Sequence, residues 1–250
     1  MTKQDQFRRR HPDWKHQAVP FGPTEAGRLI DAWKAILETQ NGRDVDEAHP
    51  GDLARFLTAL SSRLPDRPGS MLIVGCGTGE EIIDARSLGW DVQGVTLAPM
   101  NQAWCKEQHG LDVDFEDFHL NNYCGRQFDV LVGRQVWEHS WAPFIFAIEC
   151  ARVLKPGGKV ILETPNCRDF IYESSTVHHV FCPTPYQGCR MLEKAGFVDV
   201  VSLNGADSLL PFVDEHRDDV GGSKVTFIGT RWRPSDEAKI NPTIRAMTSR

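Results

Sequence analysis

Three glycines at alternate positions, Gly75, Gly77 and Gly79, follow the apolar run Met71-Leu72-Ile73-Val74 and precede Glu80-Glu81. A backbone of that composition can turn sharply and meet a ligand with no Cβ in between, Cys76 being carried inside the turn. A dinucleotide-binding turn has a third glycine where this chain has Glu80, so a pyrophosphate would meet two carboxylates. Acidic groups at a helix N-terminus suit a cationic ligand better, although many glycine-rich turns hold no ligand at all. Two histidine positions could take up a proton: His139, in Trp137-Glu138-His139-Ser140, and the adjacent His178-His179. Imidazole titrates near neutrality and is suited to that task. Glu116-Asp117-Phe118 sets acceptor carboxylates beside an aromatic ring, and on residue types alone it reads as an ordinary solvated turn. Arg134 would suit a carboxylate, and a surface ion pair explains it nearly as well.

The elements that must position these residues alternate as in an open α/β sheet. Strands are predicted at Ser70–Val74, Asp91–Leu97, Val113–Phe115, Phe128–Val132, Lys159–Glu163, Val198–Leu203 and Val225–Thr230. Helices are predicted at 24–38, from a cap at Asp52 to Pro65, and at 80–88, 99–109, 142–154 and 185–195, the last with Thr184-Pro185 as its start signal. The expected organisation is an N-terminal arm and helical lid over 1–69, one α/β domain over 70–233 and a surface tail over 234–250. The arm's Trp14 and Phe21, with Trp137, Trp141, Phe170 and Tyr172, are candidates for closing a pocket. Their alternative is core and lid packing.

A chain of 250 residues, 40% hydrophobic and 25% charged, is long enough for one domain with a sizeable core. Its net charge of −6 gives no general attraction to a nucleic-acid backbone, and Arg8-Arg9-Arg10 is too short to reverse that. Seven cysteines without a C-x-x-C pair predict reduced thiols and no metal site. No apolar run approaches the length of a membrane span, and a cytoplasmic protein is expected.

Taken together, LIVGCGTG, GVTLAP, FEDF, FDVLVGRQVWEHS, VLKPGGKVILETPN and LEKAGF resemble, in order, the landmarks of class I, Rossmann-like S-adenosylmethionine-dependent methyltransferases over Ser70 to Thr230. The resemblance implies a seven-stranded, mostly parallel sheet of order 3-2-1-4-5-7-6 with helices on both faces, and S-adenosylmethionine as cofactor. It also implies that Asp117 accepts from the adenine amino group, Phe118 and Leu97 flank the base, and Gly133 and Arg134 offer carbonyls to the ammonium. Thr96 departs from the family's usual ribose-gripping carboxylate. One hydroxyl bond is expected from it, with a second from Asn101 or Gln102.

The segment ETPNCRDFIYESSTVHHVFCPTP is similar to that of saccharide-type O-methyltransferases, and quinone-biosynthesis and other small-molecule members share part of it. The implied reaction is methylation of a small-molecule or saccharide hydroxyl, the alternatives being a quinone- or lipid-type acceptor or a non-catalytic binder. His179 is the preferred base, His139 the second candidate, and His178 is expected to border the acceptor. The sequence leaves the oligomeric state open.

Overall fold

The computed structural model of the chain describes residues 49–120, 123, 127–166, 179–204, 208–209 and 224–248, with isolated helical positions at 28, 31, 32 and 35. The predicted arm, most of the first predicted helix and Trp14, Phe21, Phe170, Tyr172 and His178 lie outside the described residues.

The strands are β1 (Ser70–Val74), β2 (Asp91–Thr96), β3 (Asp114–Phe115), β4 (Phe128–Arg134), β5 (Leu154–Pro165), β6 (Phe197–Asn204), β7 (Ser208–Leu209) and β8 (Lys224–Arg231). They form one sheet of order β3-β2-β1-β4-β5-β8-β6-β7. Apart from the two-residue β7 at the edge, this is the predicted order. The β1–β2, β1–β4, β2–β3 and β4–β5 pairs are parallel, whereas β8 runs antiparallel to both β5 and β6.

Side-chain alternation explains why both faces must be covered. On β1, Met71 and Ile73 join the apolar layer beneath α1 (Asp52–Ala59) and α2 (Glu80–Ser87). Leu72 and Val74 point the other way, toward Phe146 and Ala147 of α4 (Pro143–Val153) and Leu192 of α5 (Pro185–Lys194). The remaining helix in the first half, α3 (Pro99–His109), links β2 to β3.

Four expectations are corrected. Asp52 does not cap α1: Gly51, at φ 87°, is its N-cap and offers no side chain. The capping carboxylate comes instead from Asp84 on α2, which accepts from the backbone N–H of Gly51 (2.8 Å), Leu53 (3.0 Å) and Ala54 (3.3 Å). That single carboxylate satisfies donors at the α1 N-terminus and ties α1 to α2. Second, α1 ends at Ala59 and a 3-10 turn at Ser61–Arg63 carries the chain toward Pro65, so one predicted helix is two pieces.

Third, β5 begins at Leu154 and not at Lys159, because a bulge is built into its start. Phe128 pairs with Leu154 while Val130 pairs with Lys159, leaving Lys155–Gly158 looped out. A Cβ on Gly158 would stand 2.9–3.1 Å from three backbone carbonyl oxygens, so only glycine fits there. Fourth, the tail is not all surface. A 3-10 turn at Pro234–Lys239 leads to α6 (Pro242–Thr248), and Ile240 and Ile244 are buried in the core. Thr248 is also buried; its hydroxyl accepts from Trp232 Nε1 (3.0 Å), and its carbonyl accepts from Arg231. Among the described residues no helix is long and apolar enough to cross a membrane.

Candidate active site

The chain enters β2 on one side of β1 and later β4 on the other, which leaves a crevice at the carboxyl ends of these strands. A cavity of about 270 Å³ lies there, bounded by the strand ends Val74, Thr96 and Arg134. A second groove, of about 870 Å³, is larger, but its walls (Phe144, Tyr186 and Met191 among them) include none of the predicted site residues. Chemistry, not size, therefore picks the first.

The glycine turn forms one wall of the cavity. Gly75 and Cys76 N–H both donate to the Val95 carbonyl, at 2.9 and 3.1 Å, which pins the turn against β2. Gly75, Cys76, Gly77 and Thr78 line the cavity, whereas Gly79 stands behind it as the N-cap of α2. At Gly77 (φ 51°) an added Cβ would meet nothing within 4 Å. That stretch of backbone faces open space. The Cys76 thiol is pushed well above its ordinary value by a hydrogen bond with Cys105 and by burial, so it stays a neutral, buried group.

At the β2–β3 end, Asp117 is buried, and three donors among the described residues hold its carboxylate. His119 N–H (3.1 Å) and His119 Nδ1 (2.7 Å) reach Oδ1, and Trp141 Nε1 (3.3 Å) reaches Oδ2. The far nitrogen of His119 lies 2.6 Å from Ser140 Oγ, and its ring packs on Trp141 at 4.6 Å and on Phe146 at 5.7 Å. Phe118 is buried, packs on Phe146 at 5.0 Å and lines the cavity, as do Leu97 and Asn101. Thr96 also lines the cavity, but its hydroxyl accepts from Ala98 N–H at 3.1 Å. Gln102 is turned away to donate to the Val113 carbonyl (2.9 Å) and is corrected as a ribose ligand.

At the end of β4, Arg134 is mostly enclosed and not a surface group. It pairs with Glu81 at 2.8 Å and Glu163 at 3.3 Å and lies 5.0 Å over the Phe56 ring of α1. Burial pushes the Glu81 carboxyl above its usual range despite the pull of Arg134. Gly133 does not line the cavity; an added Cβ would crowd Val136 and Leu162 at 2.9 and 3.0 Å. Gln135 is in the left-handed region (φ 52°) although it is not glycine, and its N–H donates to the Glu163 carbonyl at 2.8 Å. Its side-chain Nε2 is buried without a hydrogen-bond partner among the described residues, on the cavity wall. Backbone strain and an unmet buried donor thus coincide at one position on the cavity wall.

His139, in the 3-10 turn Trp137–His139, also lines the cavity. His179 is outside the cavity lining, with its ring 4.8 Å from that of His139. The loop holding it is fastened by Val180 and Phe181 N–H, which both donate to the Glu138 carbonyl (2.9 and 3.2 Å). Trp137 is corrected as an acceptor-pocket residue: it is fully buried against Phe181 and Phe227 and donates its indole N–H to the Pro143 carbonyl (3.0 Å). Trp141 serves the Asp117 end instead. Sequence reasoning missed His119, Ser140 and Gln135. The only signal for the first was a histidine two positions after Asp117, the spacing at which a side chain folds back on a carboxylate.

The family described as a methyltransferase domain matches residues 72–162. A ubiquinone biosynthesis O-methyltransferase from Cereibacter sphaeroides is 34% identical over 118 residues, 45% of this chain and 48% of that protein. The chain thus spans about half the length of the curated relatives it matches. Among solved structures, phosphoethanolamine N-methyltransferase 2 from Haemonchus contortus, in complex with S-adenosyl-L-methionine, superposes with a TM-score of 0.58 at 19% identity, covering 82% of this chain and 59% of that one. A possible histamine N-methyltransferase from Thermotoga maritima gives 0.54 at 20% identity, covering 80% and 99%. Residues 72–162 thus match a methyltransferase domain, and the fold is the Rossmann-like one of these solved methyltransferases.

Proposed function

We propose that the protein transfers the methyl group of S-adenosylmethionine to a hydroxyl oxygen of a small molecule, and that the acceptor is a phenolic precursor of the quinone type. The observation that carries this reading is that one cavity is lined by Asp117 and Phe118 and also by His139. The residues present fit the cofactor. The bare backbone at Gly77 leaves it room, and the unmet Gln135 amide offers a donor to its carboxylate. Asp117 accepts from the adenine amino group, Phe118 and Leu97 enclose the base, and Thr96 and Asn101 stand at the ribose.

When bound, S-adenosylmethionine supplies an electrophilic methyl on a sulfonium sulfur. The protein's own part is to hold the acceptor oxygen in line with it, exclude water, and draw off the hydroxyl proton at the edge formed by His139 and His179. The O–C bond forms as the S–C bond breaks, and S-adenosylhomocysteine leaves. The quinone-type acceptor is favoured over a saccharide because the curated relative named above is a ubiquinone biosynthesis O-methyltransferase.

Calorimetry should show binding of S-adenosylmethionine and S-adenosylhomocysteine but not of NAD, and mass spectrometry should show a gain of one methyl on a dihydroxybenzoate and not on a hexose. Preference for NAD would refute the cofactor, methylation of the hexose alone would refute the acceptor class, and tight cofactor binding with no transfer to any hydroxyl would leave a binding protein.

A further inference from the structure

The edge that receives the acceptor contains a second kind of chemistry. Glu138, His139 and His179 present a carboxylate oxygen and two imidazole nitrogens that all lie within 4.8 Å of one another. Spacing hides this cluster, because His179 stands 40 positions after His139 and no cysteine is involved. We propose that these three side chains bind one divalent first-row cation, and that this cation grips two neighbouring oxygens of the acceptor. The inference rests on the methyl-transfer reading above and narrows its acceptor to a catechol or another vicinal diol.

Three features of the fold support a built site. First, the parts are held by backbone, since two N–H groups of the His179 loop donate to the Glu138 carbonyl and Phe181 packs on Trp137 at 5.2 Å. Ligand nitrogens on one tetrahedral zinc, at about 2.0–2.1 Å from it, lie about 3.4 Å apart. Side-chain rotation of about an ångström therefore closes the cluster, with no movement of the chain. Second, Glu138 is fully buried, so its carboxylate is held away from bulk water beside the two imidazoles. Third, His139 also lines the main cavity, so a cation at the cluster would face the acceptor.

The donor set indicates the metal. Two imidazoles and one carboxylate favour zinc, iron(II) or a similar borderline ion over magnesium or calcium, which prefer oxygen. Three protein ligands leave positions open for a substrate, the arrangement of catalytic sites and not of closed structural ones. An acceptor hydroxyl coordinated there becomes more acidic and releases its proton to solvent. Its oxygen then takes the methyl as the S–C bond breaks, while the second hydroxyl fixes which oxygen reacts. The imidazoles act as ligands in this step.

Purified full-length protein, stripped with dipicolinate and titrated with cobalt(II), should bind one equivalent per chain and show visible d–d absorption. His179→Ala and His139→Ala should each weaken cobalt(II) binding on the order of 100-fold. His179→Ala, outside the cavity lining, should leave S-adenosylhomocysteine binding intact by calorimetry, and circular dichroism reports that both variants fold. Glu138→Gln tests the carboxylate; if that buried change prevents folding, the two histidine variants decide. Stripped protein should methylate a catechol poorly and recover with zinc, iron(II) or manganese(II). Equal cobalt(II) affinity in wild type and both histidine variants would overturn the inference. So would full methylation of a catechol by stripped protein in the presence of dipicolinate, an outcome that leaves the methyl-transfer reading standing. Cobalt(II) binding without any binding of S-adenosylhomocysteine would overturn that reading while leaving the metal site.

Discussion

Replacing His119 by phenylalanine isolates the role of one imidazole at the Asp117 end. The substitution keeps an aromatic ring against Trp141 and Phe146, and keeps the backbone N–H of residue 119 on Asp117 Oδ1. It removes the 2.7 Å contact from Nδ1 to that carboxylate and the 2.6 Å contact from the other ring nitrogen to Ser140 Oγ. A hydrogen bond to a charged group contributes about 1.5–3 kcal/mol net. Of the three donors described on Asp117, two remain, so the carboxylate keeps its place but loses its stiffest support. The expected loss in cofactor binding is about 1–2 kcal/mol, roughly a 5- to 30-fold rise in Kd. Calorimetry with S-adenosylhomocysteine measures it, with Ser140→Ala as the control that removes only the outer contact. In an Asp117→Ala background the same substitution should add little, because a positioning residue has nothing left to position. Full additivity in the double variant, or an unchanged Kd in His119→Phe, would refute this account.

Asp84→Ala should destabilise the protein by about 2–4 kcal/mol in urea unfolding, since three backbone donors lose one buried carboxylate, and Asp84→Asn by about half as much. Partial burial alone would raise the Asp129 carboxyl, but bonds from Lys155 and from Ser70 N and Oγ prevail and hold it below its usual value. A depressed folded-state pKa stabilises above the ordinary carboxylate range and ceases to as pH falls through the folded value. Asp129→Asn should therefore cost about 1 kcal/mol at neutral pH, with the gap to wild type closing on acidification. Gly188→Ala should cost about 1–3 kcal/mol and slow refolding or lower expression, because the new Cβ would lie 2.3 Å from the Phe227 ring.

The strand order and glycine turn were readable in the sequence because they are local signals: an apolar run, a break, an amphipathic stretch, repeated in the order of a known class. Pro99–His109 matches its predicted span because Pro at the first helical position and Gly110 after the last punctuate it. What escaped depends on residues distant in sequence. The cap of α1 sits 33 positions away, and no composition rule links Asp84 to Gly51. Arg134 looked like a surface cation because its partners, Glu81 and Glu163, arrive from two other elements. Trp137 looked like a pocket residue because an indole beside a histidine suits a ligand as well as a core, and only packing decides between them. Ile240 and Ile244 are too few to show a period, although they are buried all the same.

The position of β8 between β5 and β6 also constrains the order of events during synthesis. Strands β1 to β5 can assemble as the chain emerges, each joining a neighbour already made. Strand β6 cannot, since its partners are β7 and β8, both of which follow it in the chain. At a translation rate of about 5–20 residues per second, the gap between β6 and the end of β8 lasts roughly 1–5 s. Throughout that interval the β5 edge is open, and Phe197, Leu203 and the side of α5 that meets β8 lack that partner. The nascent chain therefore passes through a stage with a half-built sheet and an unattached helix–strand pair, where a holding chaperone would act and a ribosome stall would do most harm.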